Sequence, residues 1–129
     1  MFTPSTLLQY VRDVATSASF YGGILGKPPV EQSPGFALFL LGDGAALGLW
    51  QRDDVQPLVS AQAGAAAELA MVVANPETVQ QMHDAWRALG VQILQAPVTL
   101  EFGHTFVGAD PDGHRLRVYS RAEGMVARD

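Results

Sequence analysis

A chain of 129 residues fits one domain of ordinary size. Residues of the AVILMFWYC set make up 48% and charged residues 16%, a balance that excludes disorder and permits a real core. The formal charge of −5, without a Lys/Arg cluster, argues against nucleic acid and anionic membrane partners. With no Cys, disulfides, thiolate metal sites and Cys nucleophiles are excluded.

The opening Met1-Phe2-Thr3-Pro4 has neither a charged n-region nor an h-region, and no apolar run approaches the ~20 residues of a membrane span. The expectation is a cytoplasmic protein. Thr6–Val11, rich in Leu, Tyr and Val, predicts a strand. Asp13 is a natural N-cap, and Val14, Ala18, Tyr21 and Leu25 recur at helical spacing before Gly26; Lys27-Pro28-Pro29 ends that helix. Three strands are predicted next, at Val30–Gln32, Phe36–Leu41 and Ala45–Gln51, with Gly42-Asp43-Gly44 as a hairpin signal. Residues 53–66 lack periodicity and read as a connector.

The same order then recurs. Glu68–Ala74 predicts a strand, and Asn75-Pro76 is an N-cap followed by Pro at the first helical position. Val79, Met82, Trp86 and Leu89 are expected to form the apolar stripe of a helix that Gly90 ends. Strands follow at Val91–Gln95, Thr105–Ala109 and Leu116–Ser120, the last two joined by Asp110-Pro111-Asp112-Gly113. With small insertions the halves superpose: Asp13 on Asn75, Gly26 on Gly90, Gly44 on Gly113, Trp50 on Tyr119. The predicted organisation is module one at 1–52, connector 53–66, module two at 67–121 and a tail at 122–129. The fold class is α+β, two βαβββ modules forming a curved mixed sheet around a concave cavity. A helix covers only one face of each sheet, so the other must meet a second unit or a ligand.

Val11-Arg12-Asp13-Val14, Ser19-Phe20-Tyr21, Leu25-Gly26, Phe102-Gly103-His104-Thr105-Phe106 and Asp110-Pro111-Asp112-Gly113-His114, in this order and spacing, resemble the vicinal oxygen chelate superfamily. Glyoxalase I, extradiol dioxygenases, fosfomycin-modifying enzymes and bleomycin-binding resistance proteins belong to it. Within it the chain looks most like the phenazine antibiotic resistance type. The resemblance implies a homodimer whose cavities lie at module or subunit interfaces. It also implies four metal-ligand places, which fall here on Thr6, Gly48, Glu68 and Arg117. Only Glu68 can serve, and Arg has no lone pair to offer, so neither a metal nor another cofactor is expected. Of the histidines, His83 reads as a solvated helix residue, His114 as a hairpin residue, and His104 as a residue that can reach a cavity mouth.

Strand alternation then assigns the cavity face. Leu8 and Tyr10 lie on the first strand, Gly48 and Trp50 on the fourth, Glu68 on the fifth, and Arg117 and Tyr119 on the last. A three-residue loop ending in Gly113 sets Val107 opposite Arg117 and Thr105 opposite Tyr119. On the third strand either Phe36 faces Trp50, or a two-residue turn brings Phe39 in beside Gly48. Small residues such as Gly48 leave room at the floor, and aromatic walls suit a planar ring. Arg117 either holds a ligand carboxylate or pairs with Glu68 as a plug. Thr99–Gly103, with Phe102, is either a flap or an ordinary turn. The reading is a non-catalytic protein that binds and sequesters a hydrophobic, planar aromatic small molecule. The alternatives are a metal-dependent lyase or dioxygenase with a non-standard site, and a metal-free isomerase or hydrolase using Glu68 as base.

Overall fold

The computed structural model describes residues 5–56 and 67–122; most of the predicted connector and the tail beyond 122 lie outside them. The chain divides into two compact units. The first contains β1 (Thr6–Val11), α1 (Val14–Leu25), β2 (Glu31–Ser33), β3 (Phe36–Gly42) and β4 (Ala45–Gln51). The second contains β5 (Glu68–Val73), α2 (Pro76–Ala88), β6 (Gln92–Leu100), β7 (Gly103–Ala109) and β8 (Arg115–Arg121). Each forms one four-stranded sheet, ordered β1-β4-β3-β2 and β5-β8-β7-β6. The first strand of each unit runs parallel to the last, and the other pairings are antiparallel. This is the predicted α+β arrangement of two βαβββ modules.

Both helices start at caps visible in the sequence. The Asp13 carboxylate accepts from Thr16 N at 3.0 Å, and Asn75 Oδ1 accepts from Thr78 N at 2.9 Å. α1 lays Val14, Ala18 and Tyr21 on the first sheet, where Leu47 and Leu49 are fully buried. Tyr21 meets the Phe39 ring at 6.5 Å and receives a hydrogen bond from Gln9 Nε2 at 3.2 Å.

α2 departs from its predicted stripe. Val79, His83 and Trp86 are the buried residues, an i, i+4, i+7 set. Leu89 is 60% exposed because it is the C-cap, past the last full turn. His83, expected in solvent, is 7% exposed; its ring meets Phe106 edge-on at 5.4 Å beside Trp86 at 5.1 Å from the same Phe. An imidazole can be buried this way because its Nδ1 keeps a partner, Asp84 Oδ1 at 3.0 Å.

Strand ends also differ. β6 runs through Pro97 to Leu100, because it is an edge strand with register shifts on either side of Gln95, where a missing N–H costs no ladder bond. β7 accordingly begins at Gly103, paired with Leu100 and Arg121. A Cβ at Gly103 would lie 1.9 Å from Ser120 O, so only glycine fits there. Of the two alternatives for Thr99–Gly103, the turn is the one present: a tight hairpin with only Glu101 and Phe102 between the strands.

The β3–β4 hairpin resolves the alternative left open for the phenylalanines. Asp43 and Gly44 both have positive φ, 52° and 80°, and Gly42 pairs with Ala45 across this two-residue loop. A bulge between Leu40 and Gly42 then shifts the register by one. Phe36 lies opposite Trp50 and Leu38 opposite Gly48, while Phe39 lies opposite Leu47 with no exposure. Phe39, a candidate cavity residue, is thus a core residue beneath α1.

Candidate functional site

On the face of the first sheet away from α1, β1 contributes Thr6, Leu8 and Tyr10, β4 contributes Ala46, Gly48 and Trp50, and β3 contributes Phe36 and Leu38. Tyr10 sits beside Trp50 in the parallel register, and the two rings meet edge-on with centroids 6.3 Å apart. Leu8 and Tyr10 are 44% and 41% exposed, and Trp50 and Phe36 are half-buried. Gly48 does not leave an open floor as expected. A Cβ there would lie 2.6 Å from Leu8 Cδ2 and 3.0 Å from Phe36 Cζ, so the neighbouring side chains lean over the glycine and fill the space. Leu38 was not among the predicted residues; its place became readable only once the bulge was known.

On the face of the second sheet away from α2 stand Glu68 and Val72 from β5, Thr105 and Val107 from β7, and Arg117 and Tyr119 from β8. The predicted pairings of Val107 with Arg117 and Thr105 with Tyr119 are those observed. Phe102 joins them from the hairpin, its ring edge-on to Tyr119 at 5.7 Å and 5.6 Å from the Arg117 guanidinium carbon. His104 does not join them. It alternates with Thr105 onto the α2 side with Phe106, and its Nδ1 pairs with Thr99 Oγ1 at 2.9 Å on the edge strand. The cavity-mouth expectation for His104 is corrected accordingly.

Arg117 and Glu68 form a bidentate pair. Nε donates to Oε1 at 2.8 Å and Nη2 to Oε2 at 3.0 Å, while Nη1 donates to Thr105 Oγ1 at 3.3 Å. Thr105 in turn donates to Val118 O at 2.8 Å. The hydrogen bond from Arg117, aided by the charges of Arg117 and Arg115, holds the Glu68 carboxyl below the usual glutamate range against the opposing effect of its partial burial. Glu68 is therefore a weakened base. Of the two partners considered for Arg117, the one present is Glu68.

The four inferred metal-ligand places do not fit a divalent cation. Thr6 offers a neutral hydroxyl and Gly48 no side chain; both oxygens of Glu68 are engaged by Arg117, itself a cation. Among the described residues one other group has donor atoms within reach of each other: Asp110, Asp112 and His114, at the β7–β8 turn. There the buried Asp110 carboxylate accepts from Asp112 N at 2.9 Å and His114 N at 2.8 Å, and its Oδ2 lies 2.6 Å from His114 Nδ1. These bonds close the turn, the hairpin role predicted for His114.

The chain is similar to several known proteins. The phenazine antibiotic resistance protein EhpR of Enterobacter agglomerans is 30% identical over 119 residues, covering 90% of each chain. A protein of Agrobacterium tumefaciens, solved in solution by NMR, is 47% identical and superposes with a TM-score of 0.85 over 95% of this chain and 99% of that one. A glyoxalase-related enzyme from Fulvimarina pelagi, 23% identical, shares the fold with a TM-score of 0.83 over 99% of both chains. Residues 4–118 match the sequence profile of the Glyoxalase/Bleomycin resistance protein/Dioxygenase superfamily. With twin βαβββ units behind that match, the chain belongs to this superfamily.

Proposed function

We propose that this protein binds a hydrophobic, planar aromatic small molecule one-to-one and without a metal, acting as a homodimer in the cytoplasm. The observation that carries the reading is the cluster of aromatic rings on one face of the first sheet. Tyr10, Trp50 and Phe36 share one sheet face, and Phe102 and Tyr119 flank the closed Glu68–Arg117 pair on the other. Flat rings pack against such edges by offset or edge-on stacking. The 30% identity to a phenazine antibiotic resistance protein supports sequestration of a compound of that shape. Catalysis has less support: the ligand set lacks donors, and a carboxylate held below its ordinary pKa by an arginine is a poor general base.

Calorimetric titration of the metal-stripped protein with phenazine tests this. Saturable one-to-one binding that is unchanged by added Ni²⁺ or Zn²⁺ is expected. Absence of binding by any planar aromatic compound, or binding only after metal is restored, overturns it.

A further inference from the structure

We propose that Arg121 is an anion subsite on the second sheet, so that the preferred ligand is a planar aromatic compound carrying a carboxylate. The inference rests on the aromatic-ligand reading above and adds to it the charge of the ligand and the residue that recognises it.

Arg115, Arg117, Tyr119 and Arg121 alternate along β8 with the buried Leu116, Val118 and Ser120, and so share the face away from α2. Glu68 is the only acidic residue in the four strands of this sheet. Two of the three arginines serve it. Arg117 closes on both of its oxygens, and Arg115 stands directly beside it, where its charge helps to keep the carboxyl ionised. Arg121 stands apart from that group. Its neighbour across β7 is Gly103, which has no side chain, and on the other side β5 ends at Val73, beside Ser120. Among the described residues no ion pair engages it; Glu101, in the adjoining hairpin, is exposed and makes none with it.

The surroundings of Arg121 suit an aromatic acid. Tyr119 lies two residues before it on the same face, ~7 Å along the strand. The Phe102 carbonyl accepts from Ala122 N at 2.8 Å, which ties the hairpin to the residue after Arg121. The Phe102 and Tyr119 rings meet edge-on at 5.7 Å. A ring packed against this pair brings a carboxylate on its rim within reach of the Arg121 guanidinium, whose fork can hold both oxygens. Arg121 is half-buried, so solvent screens the contact less than it would at an open surface. Glu68 does not oppose it, because two arginines offset its charge. With three arginines against one carboxylate, this face is positive in a chain of net charge −5, and it draws an anion where the rest of the molecule repels one.

The test compares phenazine-1-carboxylate with its amide, phenazine-1-carboxamide, at neutral pH by calorimetry on the full chain. The two probes have the same shape and differ in charge. The wild type is expected to bind the carboxylate about ten-fold more tightly. In Arg121→Gln that preference is expected to vanish while affinity for the amide stays within about two-fold, which also reports that the variant is folded. Arg121→Lys keeps the charge without the fork and should retain part of the preference. Arg115→Gln should leave it within about two-fold of the wild type. Equal binding of both probes by the wild type overturns the subsite alone. A preference that survives in Arg121→Gln, or that disappears in Arg115→Gln instead, overturns the assignment to Arg121. Failure of the wild type to bind any planar aromatic compound overturns the underlying binding reading as well.

Discussion

Trp50 stands two residues beyond Gly48 on β4, edge-on to Tyr10 and half-buried. Leu8 and Phe36 already cover Gly48, so the flat surface offered to a ligand is that of the indole and its neighbours. Trp50→Ala is expected to lose about 2–3 kcal/mol of phenazine binding, roughly 30- to 150-fold in affinity. Its urea midpoint should fall little, because a half-buried side chain leaves no enclosed cavity. If Trp50 instead plugs the core, the midpoint will record several kcal/mol, as buried Trp truncations do. Glu68 gives a pH prediction. Its folded pKa lies below that of the unfolded chain, chiefly through the hydrogen bond from Arg117. The pair thus contributes stability above the unfolded value, and that contribution disappears as pH falls through the folded one. Urea titrations of wild type and Glu68→Gln should differ at neutral pH and converge in acid below the ordinary glutamate range. A difference that persists there would mean the pair is not its source.

The helices and hairpins show which local signals carry through to the fold. Asn75 accepts from both the backbone N and the Oγ1 of Thr78, at 2.9 and 2.7 Å, and Pro76 follows it at the first helical position. Asn75→Ala is expected to destabilise the second unit by about 1 kcal/mol, measured by urea denaturation, and Asn75→Ser to restore most of it. The burial of His83 and the exposure of Leu89 have one cause. The face that packs on Phe106 is set by where α2 ends and by the i, i+4, i+7 geometry, so a polar ring at the right angle is buried and a leucine beyond the last turn is not. The β3–β4 hairpin shows the complementary case. Its Asp43-Gly44 turn is legible, but the bulge before Gly42 reverses the face that the turn alone would assign to Phe39.

At the scale of the whole molecule, each sheet has a first strand with only one hydrogen-bonded neighbour: β1 beside β4, and β5 beside β8. These strands are apolar yet exposed, with Leu8 at 44%, Tyr10 at 41% and Val72 at 46%. Open apolar edges and faces of this kind are usually covered. A homodimer is the expected state, and sedimentation equilibrium should return twice the 13.8 kDa chain mass; a stable monomer would refute it. Among the described residues no helix is long and apolar enough to cross a membrane.

The repeated βαβββ order, both helix starts, the β7–β8 register and the family were readable from residues alone. Each depends on short-range chemistry: caps within one turn at Asp13 and Asn75, strand alternation, and the three-residue loop before His114. Tertiary structure decided the rest. One extra residue in β3 put Phe39 into the core, and the edge position of β6 let Pro97 stay within a strand and chose the turn over the flap at Thr99–Gly103. The order of β7 placed His104 with Phe106 instead of Thr105. Glu68 and Arg117, forty-nine positions apart, could be read either as a ligand clamp or as partners. Only the parallel pairing of β5 with β8 decided between them, because it brings the two side chains within bidentate reach before any ligand arrives.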